Sequence, residues 1–102
     1  MLLSHENLRR DLATELDSIH NYYERPVFQE LHTQLSDRFD DTEYVADIAC
    51  VALNHLPPRY IRHDVDMAFY LSPIERQEML EKIQTAVKNA IKFVDDSNAK
   101  ND

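Results

Sequence analysis

The chain has 102 residues, a net charge of −8 and no glycine, and these properties exclude several classes of protein. Without glycine there is no Gly-rich phosphate loop and tight hairpins are disfavoured, so the composition favours a helical chain. The negative charge argues against general nucleic-acid binding, which depends on neutralising phosphates. No apolar run is long enough for membrane insertion, no signal-peptide core follows Met1, and the one cysteine excludes an internal disulfide. We therefore expect a single cytoplasmic domain over residues 1–102.

Two amphipathic helices are predicted in the first forty residues. The first begins at a cap near Ser4 and carries apolar residues at helical spacing. These residues are Leu8, Leu12, Leu16 and Ile19. Pro26 disfavours helical geometry at Arg25, so we expect a break there and a second helix with Pro26 in its first turn. The second helix is expected to end between Asp37 and Phe39 and to bury Val27, Phe28, Leu31 and Leu35.

The third predicted helix spans about residues 41–55 and is apolar on nearly all sides. Asp40 and Glu43 have the spacing of a capping box at its start. Its core stripe is Val45, Ile48, Ala49, Ala52, Leu53 and Leu56. The opposite face includes Cys50, which we expect to be an inert thiol inside an apolar helix. Because such a helix must be covered on both sides, the sequence favours a homodimer.

A short extended segment is predicted at about residues 63–71, after Pro57 ends the third helix. Val65, Met67, Phe69 and Leu71 alternate there with Asp64, Asp66, Ala68 and Tyr70. A period of two indicates an extended chain with one buried face. Two arrangements remain open. The segment either pairs with its twin across a two-fold axis or is a loop held by its side chains.

The fourth predicted helix has the clearest boundaries. Ser72 is its N-cap, Pro73 occupies the first helical position and Glu75 completes a capping box. Its apolar stripe is Met79, Leu80, Ile83, Ala86, Val87, Ala90, Ile91 and Val94. We expect it to end at Asp95 and residues 95–102 to fray. The dimer would form through the third helix, the fourth helix or both.

One segment, residues 52–67, carries charged and aromatic residues without helical periodicity. The candidate ligand-binding residues in it are Arg59, Tyr60, Arg62, Asp64 and Asp66. Arginine binds phosphate in a bidentate manner and stacks on flat rings. Tyrosine offers a face to a base, and a carboxylate can accept from the N1–H and amino groups of guanine. The alternative is structural, with Tyr60 and Ile61 in the core and the arginines paired with acids.

Metal binding and catalysis find less support in the residue pattern. His55 and His63 flank the two prolines near Asp64, and histidine with aspartate can bind zinc or manganese. They lack the i, i+4 helical spacing of a metal pair, so we assign no metal and no cofactor. Cys50 lies in an apolar helix and Ser72 is explained as a cap. No nucleophile with a base and an orienting acid is evident, so we do not expect an enzyme.

Two stretches resemble the ComFB family of late competence development proteins. They are residues 21–28, Asn-Tyr-Tyr-Glu-Arg-Pro-Val-Phe, and residues 45–60, which end in a match to the pattern ALNxLPPxY at Ala52 to Tyr60. The resemblance implies a small, mainly helical, dimeric cytoplasmic protein without known catalysis. Members are linked to natural competence, and some bind cyclic dinucleotides such as cyclic di-GMP with effects on motility. Members associated with zinc carry cysteines ahead of the motif, whereas this chain has only Cys50.

The sequence therefore predicts an all-α domain of four helices with a short extended segment at about residues 63–71. The expected function is that of a non-catalytic regulatory protein resembling ComFB, with a cyclic dinucleotide as candidate ligand. In that hypothesis Arg59 and Arg62 hold phosphate or stack on guanine, Tyr60 forms an aromatic wall, and Asp64 or Asp66 contacts the guanine edge. The competing hypothesis is a protein-interaction adaptor that uses the same loop without a small-molecule ligand.

Overall fold

The computed structural model describes residues 12–100 of the chain. These residues form five helices and one two-stranded sheet, so the predicted all-α class is confirmed and the predicted count of four helices is one too few. The elements in chain order are α1 (residues 12–17), β1 (His20–Asn21), α2 (Glu24–Gln34), α3 (Thr42–Asn54), β2 (Tyr60–Ile61), α4 (Val65–Tyr70) and α5 (Pro73–Lys100). The predicted cap at Ser4 and the stripe residue Leu8 lie outside the described residues.

The start of α2 differs from the prediction. The helix begins at Glu24, so Arg25 is helical and the predicted break at Arg25 is wrong. Pro26 is the third residue, and the first four N–H groups of a helix have no intrahelical acceptor, so its missing N–H costs nothing there. The helix ends at Gln34, earlier than predicted. Phe28 is half exposed rather than buried, because the inward face passes through Val27 and Leu31.

The third predicted helix is present as α3, with two corrections. Its N-cap is Asp41, whose Oδ1 accepts from the backbone N–H of Tyr44 at 3.3 Å, one residue after the predicted Asp40. Ile48, Ala49 and Ala52 of the predicted stripe are buried. Cys50 is exposed, so its expected place in an apolar interior is wrong. Within residues 12–100, the other helices cover only one side of α3, and Cys50 lies on the opposite, solvent-exposed side.

Residues 65–70 form a helix, so the predicted extended segment at 63–71 is misplaced. Met67 and Leu71 are buried, whereas Val65 is 61% and Phe69 is 82% exposed. The buried positions are therefore four residues apart, the spacing of a helix rather than a strand. A backbone hydrogen bond of 3.1 Å from Leu71 N–H to the Met67 carbonyl closes the turn. The short extended segment lies earlier, at β2, and its partner β1 is in the same chain.

The long helix α5 confirms its predicted start and exceeds its predicted end. Ser72 Oγ accepts from the Glu75 N–H at 3.1 Å, which is the N-cap half of the predicted capping box, and the Glu75 carboxylate accepts from the Ser72 hydroxyl at 3.2 Å rather than from the Ser72 N–H. The helix continues to Lys100, so the predicted fraying is wrong for residues 95–100, and residues 101–102 lie outside the description. Val94 is buried, and Asp95 accepts a hydrogen bond of 2.6 Å from the Tyr44 hydroxyl, which holds this end of the helix.

The core lies where α2, α3 and α5 pack together. Its fully buried large side chains are Val27, Leu31, Ile48 and Val87. Each contributes about 1.5–3 kcal/mol by leaving water. Tyr44 closes one end of this core: Arg38 stacks on its ring at 3.9 Å and donates to its hydroxyl at 3.1 Å. Burial, together with the hydrogen bond to Asp95, raises the pKa of Tyr44 to about 12.

In the described part of the chain, no helix has the length and apolar character that a membrane crossing requires.

Candidate functional site

The candidate segment is held in place by the small sheet. Strands β1 and β2 are antiparallel, with His20 opposite Ile61 and Asn21 opposite Tyr60. The Tyr22 N–H also donates to the Arg59 carbonyl at 2.7 Å. The two strands are far apart in the chain, so the sheet fixes the residues after the double proline against the start of α2.

Asn21 strengthens this junction through its side chain. Its Oδ1 accepts from the Arg59 N–H at 3.0 Å and from the Tyr23 N–H at 3.3 Å. One amide oxygen therefore joins the backbone beside Arg59 to the turn before α2. Tyr23 is buried in the core, and its ring meets that of Tyr22 edge-on at 6.1 Å. Asn21 thus connects the core to the backbone that presents Arg59.

Arg59 and Tyr60 are the two candidate residues with open side chains. Tyr60 is 67% exposed, so the alternative that it fills the core is wrong. Arg59 is exposed, and within residues 12–100 its guanidinium has no hydrogen bond or ion pair. An arginine and a tyrosine adjacent in sequence on a fixed backbone offer a phosphate-binding group and a stacking face.

Arg62 is engaged within the chain. Its Nε donates to Ser18 Oγ at 3.0 Å, and its Nη2 forms an ion pair with Glu15. This is the structural alternative that the sequence left open, in which an arginine pairs with an acid. Arg62 therefore ties β2 to the end of α1, and a phosphate would have to displace Glu15 to reach the N–H group that this carboxylate occupies.

Asp64 forms an ion-pair network with β1 and α2. Its Oδ1 lies 2.8 Å from His20 Nε2, and its Oδ2 lies 3.5 Å from an Arg25 guanidinium nitrogen. The hydrogen bond from His20 lowers the pKa of Asp64 below 3.8, and the charges of His20 and Arg25 act in the same direction. His20 also contacts the Ser18 carbonyl through Nδ1 at 2.9 Å. Asp64 has a structural partner on each oxygen.

Asp66 lies apart from this network, in the first turn of α4. It is partly buried, and its N–H donates to the His63 carbonyl at 3.0 Å. The structure thus separates the five candidate residues into three groups. Arg59 and Tyr60 are open, Arg62 and Asp64 are ion-paired, and Asp66 belongs to α4. The ligand-binding role of all five stays a prediction.

Two cavities of the described residues differ in their relation to the candidate residues, since only the smaller one is lined by one of them, Asp64. One, of about 560 Å³, is lined by His20, Arg25, Phe28, His32 and Asp64, among others. It places the candidate Asp64 beside the outward face of α2. A larger groove of about 850 Å³ runs between α3 and α5, and its lining is mostly apolar.

The histidines near the prolines do not form a metal cluster in the part of the structure that is described. Within residues 12–100, no three His, Cys, Asp or Glu side chains lie close enough together to hold a metal ion. His55 Nδ1 contacts the Val51 carbonyl at 2.8 Å, at the end of α3. The hydrogen bond between His20 and Asp64 is the largest cause of a raised pKa at His20 and of a lowered pKa at Asp64.

Sequence reasoning missed four residues that organise the segment: Ser18, His20, Asn21 and Arg25. Each lies 38–44 residues from its partner in the chain, so local spacing gave no signal. The available signal was the Asn-Tyr-Tyr-Glu-Arg-Pro stretch, which contains Asn21 and Arg25 and carries part of the family resemblance.

Comparison with known proteins supplies the family. A search among curated proteins found no match. A family model described as late competence development protein ComFB matches residues 20–98, which includes β1, β2 and the three helices of the core. The match starts at His20, the residue that pairs with Asp64, and it covers most of the chain. The chain belongs to the ComFB family.

Proposed function

We propose that this chain is a non-catalytic regulatory protein that binds a cyclic dinucleotide such as cyclic di-GMP and thereby influences competence or motility. The observation that carries the proposal is the open pair Arg59 and Tyr60 on a backbone fixed by Asn21. Family membership supports a competence-related regulatory role. The exposed thiol of Cys50 suits the reducing cytoplasm, where cyclic dinucleotides would be met.

In this proposal the five candidate residues have different roles. Arg59 holds a phosphate, and Tyr60 stacks on a base. Asp66 is the acceptor for a guanine edge, or Asp64 accepts from guanine with the lone pairs that His20 and Arg25 leave unused. Arg62 keeps the loop in place through Glu15 and contributes positive charge near the phosphates.

Calorimetric titration with cyclic di-GMP tests the proposal. Arg59→Ala should weaken binding at least tenfold, since a charge-assisted hydrogen bond contributes about 1.5–3 kcal/mol. Tyr60→Ala should weaken it by a similar factor, since stacking of one base contributes about 1–3 kcal/mol. Arg76→Ala, an exposed arginine at the start of α5, is the matched control and should bind as the unaltered chain does. Absence of heat and of a thermal shift up to millimolar ligand would refute the proposal.

We further propose that the chain works as a homodimer, since a two-fold ligand suits a two-fold protein. The support is the groove between α3 and α5, where Phe93 is 59% exposed beside Val51 and Ala90. Sedimentation should give twice the 12.0 kDa mass of one chain. Phe93→Glu should shift the protein to monomer, whereas Phe69→Glu, an exposed position on α4 outside the groove, should not. A wild-type chain that sediments as a monomer would refute dimerisation.

A second candidate function, the protein-interaction adaptor, is favoured by a different observation. Four large apolar side chains of α4 and the start of α5 are strongly exposed: Val65, Phe69, Tyr70 and Ile74. Surfaces of this kind mark contact sites for other proteins. For an adaptor, Phe69→Ser should weaken capture of a partner protein, Phe28→Ser on α2 should not, and nucleotide titrations should stay flat.

A further inference from the structure

Both ring nitrogens of His20 face oxygens that act as acceptors. Nδ1 lies 2.9 Å from the Ser18 carbonyl oxygen, and Nε2 lies 2.8 Å from Asp64 Oδ1. A carbonyl oxygen only accepts, and an ionised carboxylate only accepts. Asp64 also faces Arg25, which favours its ionised form. A neutral imidazole carries one N–H, so both hydrogen bonds form only when His20 is an imidazolium.

These two hydrogen bonds join three parts of the chain. Ser18 follows α1, His20 lies in β1 opposite Ile61, and Asp64 directly precedes α4. Ser18 also receives the hydrogen bond from Arg62. His20 therefore contacts both ends of residues 61–64, Ile61 through strand pairing and Asp64 through its side chain. Because β1 and β2 contain two residues each, little other backbone pairing holds this segment.

The charged groups around His20 come from every neighbouring element. Asp64 faces it from the connection between β2 and α4, and Glu24 and Arg25 approach from α2. On the side of α1, Arg62 pairs with Glu15 and also donates to the hydroxyl of Ser18, the residue whose carbonyl faces His20. The hydrogen bond to Asp64 is the main reason that the pKa of His20 is raised above 6.5. The hydrogen bond to Ser18 and the charges of Asp64 and Glu24 add to it, and partial desolvation opposes it.

We propose that His20 is a positioning residue for residues 59–64 and that it acts in its imidazolium form. Loss of its second proton removes one of the two hydrogen bonds, either the one to Ser18 or the one to Asp64, and so loosens the backbone that presents Arg59 and Tyr60. Where it concerns ligand affinity, this inference rests on the proposed function. Anionic ligand should then bind more weakly as the pH rises through the pKa of His20.

The structural part is tested by NMR on the full chain without ligand. The ring Cε1–H of His20 should titrate above pH 6.5, and the amide resonances of Arg59 and Tyr60 should follow the same titration. Asp64→Asn keeps an acceptor but removes the charge, so it should return the His20 titration towards 6.5. His63→Gln, in the same loop, is the control and should leave both titrations unchanged. A His20 titration at or below 6.5, or amides that do not follow it, would overturn the inference.

The functional part compares cyclic di-GMP affinity at pH 6 and pH 8.5. The unaltered chain and His63→Gln should lose about three- to tenfold in affinity at the higher pH, the equivalent of one hydrogen bond. His20→Gln should show the same affinity at both pH values. Equal pH dependence in His20→Gln and the unaltered chain would overturn the positioning role while leaving the proposed function intact. Absence of binding at either pH would refute the proposed function, and the NMR titration would then decide on His20 alone.

Discussion

Asn21→Ala is the substitution that most directly tests how the candidate segment is held. The Asn21 side-chain oxygen accepts two backbone hydrogen bonds, from Arg59 at 3.0 Å and Tyr23 at 3.3 Å. Alanine keeps the β1 backbone and removes both. The buried ring of Tyr23 should stay in the core, so the loss should fall mainly on the junction with Arg59.

The expected magnitude follows from these geometries. A hydrogen bond contributes about 0.5–1.5 kcal/mol net. The longer bond to Tyr23 should lie at the low end of that range. The Arg59 amide is exposed, so water can partly replace its acceptor. We therefore expect Asn21→Ala to lower the free energy of unfolding by about 1–2 kcal/mol, which corresponds to a fall in Tm of about 5–10 °C for a domain of this size.

Urea unfolding at one fixed protein concentration measures this change, because oligomerisation would otherwise shift the apparent stability. Asn21→Asp is the matched control, since a carboxylate oxygen can accept both N–H groups in the same place. It should stay within about 0.5 kcal/mol of the unaltered chain. Equal losses in Asn21→Ala and Asn21→Asp would show that the amide oxygen is not what holds the segment, and the argument for a fixed Arg59 would be refuted.

Three further predictions concern the core and the outer face of α3. Tyr44→Phe removes the hydroxyl bonded to Asp95 and should lower stability by about 1–2 kcal/mol in thermal unfolding. Folding raises the pKa of Tyr44 from 10 to about 12. The protonated hydroxyl should therefore contribute fully to the free energy of unfolding below pH 10, and this contribution should disappear as the pH rises through about 12. The stability of Tyr44→Phe should show no such loss. Val87→Ala, at a fully buried position, should lower stability by about 2–3 kcal/mol, whereas Ile74→Ala at an exposed position should change it by less than about 0.5 kcal/mol. Cys50 is exposed, so iodoacetamide should alkylate it without denaturant. Dimerisation through the face of α3 that carries Cys50 would slow this alkylation as the protein concentration increases. An alkylation rate that does not change with concentration would place the dimer contact elsewhere.

The helices that pack the core were accessible from sequence because their signals are local. The N-cap at Ser72 formed as predicted, with its hydroxyl accepting from the Glu75 N–H, because both partners lie within one turn. The buried residues of α5, from Met79 to Val94, follow the 3.6-residue period over about four turns. The one-residue error at the cap of α3 shows the limit of such a local signal. Asp40 and Asp41 are equivalent by residue type, and only the backbone geometry selects Asp41.

The error at residues 65–70 shows where periodicity fails. Over seven residues, four apolar positions spaced by two contain two pairs spaced by four. The chain buries only Met67 and Leu71 and leaves Val65 and Phe69 in solvent. A short helix and a strand therefore predict overlapping apolar sets. Which set is buried depends on the surface against which the segment packs. That surface is formed by other parts of the chain, so the sequence of the segment alone does not determine the outcome.

The candidate site was predicted as a set of residues but not as an arrangement, because its organisation comes from partners remote in sequence. The five candidate residues come from residues 59–66, and no pattern within that segment distinguishes Arg59 from Arg62. The difference is external: Glu15 and Ser18 engage Arg62. His20 engages Asp64 in the same way, and both contacts originate at the end of α1 and in β1. The affinity for the proposed ligand should thus depend on residues that do not touch it, namely Glu15, Ser18 and His20.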